Sequence, residues 1–378
     1  MLYWLLYEVL RKYFTPFRVF QYIGTRVALA SLTALFLSLL LGPWMIRKLR
    51  QLSFGQHIRE EGPRSHQKKA GTPTMGGLLI VTSIVVPTLL WADLTNPYIW
   101  LALLGLIGFG AIGFLDDYTK ITRKRNLGLT ARQKFWAQIV CAMIIGFFLL
   151  LLHAHQAYST NINVPFFKQF KPPLLIEPWT KSYWTYPLAF LPFYVFIVFV
   201  MVGSSNSVNL TDGLDGLAIG VMTIASAAMT ALTYVSSNVV LSKYLDLAHL
   251  PRSQELTVFC GTMVGACLGF LWYNCHPAEV FMGDVGSLAL GGGMGIVAVL
   301  IKQEVLLLFI GGVFVIEALS VILQVGSYKL RNGKRIFKMA PIHHHFEALG
   351  WSESKVIVRF WIAGIVMALF ALTTLKLR

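Results

Sequence analysis

The chain has 378 residues, of which 56% are hydrophobic and 13% are charged, and its formal net charge is +15. This composition excludes an ordinary soluble domain, because several windows exceed the roughly 18 uncharged apolar residues that mark a membrane-spanning helix. The positive charge does not indicate nucleic acid binding, since no basic-aromatic pattern accompanies it and membrane proteins carry Lys and Arg in loops that face anionic lipid. We therefore predict an all-α polytopic membrane protein with a single integral-membrane domain over residues 1–378.

The predicted elements begin with an amphipathic segment over residues 1–25, whose aromatic residues and basic residues Arg11 and Lys12 favour a position at the membrane interface. Ten apolar segments follow, each predicted to cross the membrane as a helix. They are Val27–Met45, Met75–Trp91, Ile99–Leu115, Phe135–Leu152, Tyr186–Val202, Leu217–Val235, Leu256–Trp272, Ser287–Ile301, Val305–Val325 and Val356–Leu375. The eighth is rich in glycine, which favours close helix packing or a break. The ninth contains Gly311, Gly312 and Glu317, and we expect it to bend, with Glu317 hydrogen-bonded between helices rather than catalytic.

The distribution of Lys and Arg predicts the orientation of the chain. The connections 46–74, 116–134 and 328–355 hold seven, six and six of the 32 basic residues. Ten crossings place these three connections on one side together with 203–216 and 273–286, and the positive-inside rule makes that side cytoplasmic. Both termini are then expected outside. The outer loop 153–185 contains prolines and aromatic residues, which favour an interfacial hairpin.

The apolar run from Ile99 to Leu115 ends on two adjacent carboxylates, Asp116 and Asp117. Ionisable groups at the mouth of a membrane helix are costly and are candidates for function. Neighbouring like charges also repel, and Lys120, one turn beyond Asp116, offsets only part of that repulsion, so a divalent metal would fit the pair. The alternative is an acidic turn at the interface, solvated by water.

The other unusual polar clusters also fall on the connections of the same side. They include Lys68 and Lys69 before Gly71-Thr-Pro-Thr-Met-Gly-Gly77, the stretch Asn209-Leu-Thr-Asp-Gly-Leu-Asp215, Asp284 just before a helix, and His343-His-His345. The lysines could hold anionic oxygens or could simply lie beside anionic lipid. In a helical turn, the side chains of Asn209, Asp212 and Asp215 would share one face, although Asp212 could also be an N-cap.

These residue types favour phosphoryl transfer. Hard oxygen ligands suit Mg²⁺ or Mn²⁺ better than zinc, and three consecutive histidines point about 100° apart on a helix, so they cannot all bind one ion. Hydrogen bonding to phosphate or sugar is the better reading of the histidines. Carboxylate-bound Mg²⁺ with nearby lysines neutralises charge on transferring phosphoryl groups, and no P-loop is present to indicate an ATP motor.

The motifs resemble the phospho-N-acetylmuramoyl-pentapeptide-transferase family of the polyprenyl-phosphate N-acetylhexosamine-1-phosphate transferase superfamily. The resemblance runs from Lys69 to the last helix. The superfamily motifs are Asp116-Asp117, Asn206-x-x-Asn-x-x-Asp-Gly-x-Asp-Gly216 and Phe281-Met-Gly-Asp284, whereas Gly71–Gly77 and Pro341-Ile-His-His-His-Phe-Glu347 are similar to the muramoyl-peptide branch.

The resemblance implies a reaction in which UDP-N-acetylmuramoyl-pentapeptide and undecaprenyl phosphate give UMP and lipid I with Mg²⁺ as cofactor. It also implies a multi-pass location in the bacterial cytoplasmic (inner) membrane, a role in peptidoglycan synthesis, and a homodimer. The catalytic residues implied are Asp116, Asp117 and Asp284, with Asp284 as the Mg²⁺ ligand. The substrate-binding residues implied are Lys69, Thr74, Lys120, Lys134, Asn209, Asp212, Asp215, Asn274, Phe281, Gln324, His343 and His344, with Phe281 stacking on uracil.

Three alternatives use the same carboxylates. A UDP-N-acetylglucosamine-1-phosphate transferase keeps the chemistry and changes the sugar, and the stretch His343–Glu347 argues against it. An intramembrane aspartyl protease would need Gly at 281, where Phe stands. An ion-coupled transporter predicts charges near the middle of the bilayer and commonly internal repeats, whereas these charges lie at segment ends and no repeat is apparent.

Overall fold

The structure is a computed structural model of the chain, and it describes residues 1–52, 71–123, 128–164, 167, 170–176 and 186–375. Within these residues the fold is helical throughout, with one isolated antiparallel bridge between Asn161 and Pro173. The helices are α1 (Ile23–Leu52), α2 (Gly77–Trp91), α3 (Pro97–Thr122), α4 (Ala131–Ala154), α5 (Tyr186–Thr211), α6 (Leu217–Ser237), α7 (Val239–Tyr244), α8 (Gln254–Asn274), α9 (Gly283–Leu300), α10 (Glu304–Ile310), α11 (Gly312–Leu330), α12 (Ile342–Ala348) and α13 (Glu353–Thr373).

The prediction of an all-α polytopic membrane protein is confirmed. In the described part of the chain, nine helices are long and apolar enough to cross a membrane, and α2 is a tenth apolar helix of 15 residues. Each of the ten predicted segments overlaps one of these helices. The ninth predicted segment is interrupted as expected, because α10 ends at Ile310 and α11 begins at Gly312.

The N-terminal segment forms three short helical turns instead of one amphipathic helix. They span Trp4–Val9, Leu10–Lys12 and Thr15–Gln21. The turns pack against the start of the bundle, where the N-terminal ammonium of Met1 donates to the carbonyl of Leu89 at 2.7 Å. In the described part of the connection 153–185, Ile162 N donates to Pro172 O at 3.0 Å.

The core is built around α9, because every residue from Val285 to Leu300 is buried. Its small residues let neighbouring helices approach closely, which is how membrane helices gain packing energy without a hydrophobic driving force between them. A Cβ on Gly291 would meet the backbone of Ser204 and Ser205 on α5, and Ser204 Oγ donates to Gly291 O at 2.9 Å. The glycine-rich stretch is therefore a helix contact and not a break.

The two ends of the bundle carry different polar groups. At one end, Arg26 of α1 makes a buried bidentate ion pair with Glu255 of α8, with N–O distances of 2.7 and 2.8 Å. Glu255 also accepts a hydrogen bond from the backbone N–H of Asp93 at 2.8 Å. The opposite end, formed by the last residues of α3, α5 and α8 and the first of α2, α4, α6, α9 and α13, carries the acidic and basic residues that the sequence singled out.

Candidate active site

Three carboxylates from two helices meet at this end of the bundle. Asp116 and Asp117 lie in the last two turns of α3, and Asp284 is the second residue of α9. Their ligand atoms all lie within 4.8 Å of one another. The close approach of the helices depends on Gly113, where a Cβ would collide with the backbone carbonyl of Asp284.

The ammonium group of Lys120 lies among the three carboxylates. Its Nζ is 2.6 Å from Asp116 Oδ2, 3.0 Å from Asp117 Oδ1 and 3.1 Å from Asp284 Oδ2. Three carboxylates this close together need a cation, because their mutual repulsion opposes ionisation and burial opposes it further. Lys120 is thus a closer partner of the acidic pair than its spacing along α3 alone indicated.

Two further donors hold Asp284. Lys134, in the first turn of α4, lies 2.8 Å from Asp284 Oδ2, and Asn209 near the end of α5 donates to Asp284 Oδ1 at 2.6 Å. The same Asn209 amide donates to Ser287 Oγ at 2.8 Å. Asp284 also lies in the first turn of α9, where the helix dipole favours negative charge. Four helices therefore converge on one carboxylate.

Backbone N–H groups orient the acidic pair. Asp116 Oδ1 accepts from Leu129 N at 2.8 Å, and Asp117 Oδ2 accepts from Val285 N at 3.2 Å. Each carboxylate thereby commits one oxygen to the backbone and turns the other toward Lys120. The side chains of Asp116 and Asp117 are 5% and 2% exposed, whereas those of Asp284 and Lys120 are 17% and 27% exposed, so the cluster opens to solvent on the side of Asp284 and Lys120.

The donor set fits a hard divalent cation. Asp116, Asp117 and Asp284 offer carboxylate oxygens, which are the ligands that Mg²⁺ prefers, and none of the three is replaced by a soft donor. An ion bound by all three carboxylates would lie between their oxygens, close to the place where the Lys120 ammonium lies in this structure. Asp284 is the most exposed of the three, and it contacts two cationic side chains, Lys120 and Lys134.

Asn209, Asp212 and Asp215 do not share a helical face, because α5 ends at Thr211 and Asp212 and Asp215 lie on the turn before α6. The expectation from their spacing is wrong in this respect. The helix stops one residue before Asp212, and Gly216, with a φ of +81° in the left-handed region, is the N-cap at which α6 begins, so the two aspartates lie between two separate helices. Loss of hydration and the nearby charges of Asp284, Asp117 and Asp215 raise the pKa of Asp212 to about 8, although a backbone hydrogen bond from Gly283 acts in the opposite direction.

The segment before α2 pairs with the segment before α9. Phe281 N donates to Pro73 O at 2.8 Å, and Gly76 N donates to Phe281 O at 2.9 Å. Thr74 lies at the same place, since a Cβ on Gly283 would come 2.8 Å from Thr74 Oγ1 and 2.6 Å from Asp117 Oδ2. Thr74 and Phe281 are therefore held beside the acidic cluster. Lys69 lies outside the described residues.

Asn274 and Gln324 have their amide groups occupied by backbone. Asn274 Oδ1 accepts from Gly216 N at 3.1 Å and its Nδ2 donates to Val280 O at 2.8 Å. Gln324 Oε1 accepts from the backbone N–H groups of Ile336 and Phe337, and its Nε2 donates to Phe337 O at 2.9 Å. Asn274 thus holds the turn before α6, and Gln324 holds the segment that follows α11.

The three histidines of α12 each have a different hydrogen-bond partner, although the rings of His343 and His344 are in contact, with centroids 4.1 Å apart. His343 is fully buried, its Nδ1 lies 3.1 Å from Glu317 Oε2, and its Nε2 faces Gly213, where a Cβ would not fit. His344 Nδ1 lies 2.7 Å from Glu347 Oε2. His345 Nδ1 accepts from Lys338 N at 3.1 Å. The hydrogen-bonded interhelical role expected for Glu317 is thus observed, with His343 as its partner.

Sequence reasoning missed two residues beside the turn. His276 Nδ1 lies 3.2 Å from Asp215 Oδ2, and Glu353 Oε1 accepts from Asp215 N at 3.1 Å. His276 precedes a proline in a loop and Glu353 begins the last helix, so no spacing along the chain relates either residue to Asp215. The only available signal was the presence of a histidine and a glutamate next to ends of apolar segments.

Comparison with known proteins gives a consistent result. The profile of glycosyl transferase family 4 matches residues 99–302, and signature 1 of phospho-N-acetylmuramoyl-pentapeptide-transferase matches residues 69–81. The chain is 66% identical over 378 residues to a phospho-N-acetylmuramoyl-pentapeptide-transferase of Solibacter usitatus, with 100% of both chains covered. It is 63% and 62% identical to proteins of the same name from Koribacter versatilis and Acidobacterium capsulatum, again over the whole of each chain.

Proposed function

The chain belongs to the phospho-N-acetylmuramoyl-pentapeptide-transferase family, and we propose that it transfers phospho-N-acetylmuramoyl-pentapeptide from its UDP-activated form to undecaprenyl phosphate. The products are lipid I and UMP, and the reaction is the first membrane step of peptidoglycan synthesis. The observation that carries this proposal is the convergence of three carboxylates, Lys120, Lys134 and Asn209 at the ends of four membrane helices. This equipment suits a reaction that brings a lipid phosphate to a nucleotide diphosphate at the membrane surface.

The bond changes define what the residues must do. An oxygen of the lipid phosphate attacks the β-phosphorus of the nucleotide sugar, the bond between the β-phosphorus and the bridging oxygen breaks, and UMP leaves with that oxygen. Two phosphate-bearing substrates repel each other, so positioning and charge neutralisation supply most of the catalysis. Lys120 and Lys134 are the cations that are close enough to the acidic cluster to contact these phosphates on its exposed side.

We propose that Mg²⁺ is the cofactor and that Asp284 binds it, with Asp116 and Asp117 beside it. When bound, the ion would neutralise negative charge on the diphosphate. Asp116 and Asp117 are each held by a backbone N–H, so their second oxygens have fixed directions toward the centre of the cluster. That arrangement suits one of them to orient, or take a proton from, the lipid phosphate, while Asn209 keeps Asp284 in place.

The nucleotide would bind on the side of the turn between α5 and α6. Asp215, Phe281 and Lys69 are proposed for the uridine, with the Phe281 ring stacking on uracil, and Asn209 and Asp212 for the sugar diphosphate. Thr74, Asn274, Gln324, His343 and His344 are proposed as the lining of the same site. The support is the family motifs that contain these residues, together with the placement of Thr74 and Phe281 next to Asp117.

The lipid acceptor needs an apolar approach to the same cluster. A cavity of about 260 Å³ lies between α5, α6, α9, α10 and α11, and its walls are mainly apolar. It reaches Ser207 and Val208 on α5, directly before Asn209. The isoprene units next to the lipid phosphate would fit in this cavity and would bring that phosphate toward the carboxylate that Asn209 holds.

We further propose that the cluster faces the cytoplasm of a bacterium, in a multi-pass protein of the inner membrane with both termini outside. The basic connections 46–74, 116–134 and 328–355 support this orientation. The family resemblance also supports a homodimer, which light scattering of the detergent-solubilised protein would test. A reporter fused after Arg378 should be active on the outer side only.

The proposal is tested by UMP release from purified protein in detergent. The assay supplies undecaprenyl phosphate with UDP-N-acetylmuramoyl-pentapeptide or UDP-N-acetylglucosamine, each with Mg²⁺ and with a chelator. We expect Mg²⁺-dependent release with the muramoyl substrate only. Release with UDP-N-acetylglucosamine alone would assign the sister reaction, and no release from folded protein would refute the proposal.

A further inference from the structure

Asp215 lies where three separate connections meet. Its Oδ2 is 3.2 Å from His276 Nδ1 and accepts from Ala278 N at 3.2 Å, and both of these residues belong to the loop between α8 and α9. Its backbone N–H donates to Glu353 Oε1 at 3.1 Å, at the first residue of α13. The second oxygen of Glu353 lies 3.5 Å from His276 Nδ1, so the three residues close a triangle.

The backbone on the other side of Asp215 is fixed as well. Gly216 N donates to Asn274 Oδ1 at 3.1 Å, and Gly216 O accepts from Trp361 Nε1 of α13 at 3.3 Å. The turn is thus held from α8 on one side and from α13 on the other. The direction of the Asp215 carboxylate is the remaining degree of freedom, and His276 and Ala278 N limit it.

Burial and charge explain why this triangle needs a histidine. The side chains of Asp215 and Glu353 are 3% and 10% exposed, whereas that of His276 is 38% exposed. Two enclosed carboxylates near one another repel and require donors. The Nδ1–H of His276 supplies a donor within reach of both carboxylates, and its exposed ring can reach water with Nε2.

The same three side chains could offer ligand atoms to a metal, since these atoms lie within 4.8 Å of one another. Hydrogen bonding accounts for the arrangement more fully. Asp215 Oδ2 already accepts from Ala278 N, and Glu353 Oε1 already accepts from Asp215 N. To bind an ion, His276 would have to present the lone pair of Nδ1 instead of the Nδ1–H, and the ion would have to compete with both of these hydrogen bonds.

We propose that His276 and Glu353 are positioning residues that hold Asp215, and the turn that carries it, in the orientation needed to bind the nucleotide. This inference rests on the proposed function, in which Asp215 contacts the uridine. Neither residue needs to touch the substrate. Because Glu353 begins α13, the last membrane helix takes part in nucleotide recognition although it contributes no carboxylate to the acidic cluster.

Matched variants separate hydrogen bonding from bulk. His276→Ala removes the donor, whereas the Nδ2 of Asn in His276→Asn can take the place of the His Nδ1–H. Glu353→Ala removes the acceptor of Asp215 N, whereas Glu353→Gln keeps an amide oxygen there. His249→Ala, an exposed histidine at the opposite end of the bundle, is the control for loss of an imidazole.

Two readouts are measured: the dissociation constant of UMP by calorimetry, which needs no turnover, and kcat and KM for each substrate from UMP release. We expect His276→Ala to raise the UMP dissociation constant and the KM for the nucleotide sugar about tenfold, with the loss of one charge-assisted hydrogen bond. The KM for undecaprenyl phosphate should change less than about twofold, because neither His276 nor Glu353 is proposed to position the lipid phosphate. His276→Asn and Glu353→Gln should recover most of the loss in their respective alanine variants.

Three results would overturn the inference. The first is an unchanged UMP dissociation constant in both alanine variants. The second is an equal fall in kcat and in both substrate affinities with a lower melting temperature and no recovery by Asn or Gln, which would indicate a structural role. The third is recovery of affinity only with an added transition metal, which would indicate a metal site. If the wild-type protein neither binds nor releases UMP, the proposed function itself fails.

Discussion

Replacement of Asp284 is expected to lower the activity strongly, because three side chains donate to its carboxylate. Its two carboxylate oxygens receive Lys120 at 3.1 Å, Lys134 at 2.8 Å and Asn209 at 2.6 Å. Asp284→Asn keeps the size of the side chain and replaces one oxygen by an NH₂ group. Whichever way the amide turns, its NH₂ faces a donor, either the ammonium groups or the amide of Asn209.

The expected loss follows from these contacts. A hydrogen bond between charged partners contributes about 1.5–3 kcal/mol. The substitution removes the negative charge that accepts the hydrogen bonds from Lys120 and Lys134. Asp284 positions the two lysines for the phosphates, and a loss of about 4 kcal/mol of transition-state stabilisation corresponds to about a 10³-fold lower rate. The loss of a carboxylate ligand for Mg²⁺ acts in the same direction, because it weakens the charge neutralisation of the diphosphate.

The assay is UMP release at saturating Mg²⁺, with Mn²⁺ binding by electron paramagnetic resonance as a second readout. Asp93→Asn is the matched control, since Asp93 lies at the opposite end of the bundle and its carboxylate bonds Thr95. The control should retain full activity. If Asp284→Asn kept more than a tenth of the wild-type rate and bound Mn²⁺ normally, Asp284 would not be the metal ligand and the reasoning would be refuted.

Two further predictions concern stability, measured by thermal unfolding in detergent. Arg26→Met should lower the free energy of unfolding by about 3–5 kcal/mol because it leaves Glu255 buried without its partner, and Arg26→Met with Glu255→Met should recover most of the loss; equal destabilisation by the single and double variants would contradict this. Folding raises the pKa of Asp212 from 3.8 to about 8, so the stability that this group contributes in acid is lost as the pH rises through that range. The free energy of unfolding of Asp212→Asn should therefore rise relative to that of wild type between about pH 5 and pH 8, by at most about 1.4 kcal/mol per pH unit, and its melting temperature should rise with it. A difference between the two proteins that does not change with pH would count against the raised pKa.

Much of the fold could be predicted from sequence, because long apolar runs predict membrane helices. The glycines at 311 and 312 predicted the interruption of the ninth apolar segment, between α10 and α11. The glycines of the eighth segment, which forms α9, predicted its close packing. The N-terminal turns were not predicted in this form, since their aromatic residues fit an amphipathic helix and several short turns equally well.

The site was predicted as a set of residues and not as a set of contacts. Adjacent Asp116 and Asp117 indicated a need for a cation, but the meeting of Lys120 with Asp284 joins positions 164 residues apart. The pairs Glu317–His343 and Asp215–Glu353 are separated by 26 and 138 residues, and one sequence carries no signal that relates them. The end of α5 at Thr211 also breaks the helical register that the spacing of Asn209, Asp212 and Asp215 indicated.

The most direct test of the central claim follows the β-phosphate through the reaction. The nucleotide sugar is labelled with ³²P at the β-phosphorus and incubated with purified protein, Mg²⁺ and undecaprenyl phosphate, and the lipid and aqueous products are separated. We predict that all transferred label enters the lipid and that unlabelled UMP appears in equal amount, because the bond between the β-phosphorus and the bridging oxygen breaks. Label recovered as UDP in water, with sugar but no label in the lipid, would show that the bond between sugar and phosphate breaks instead, and would contradict the account.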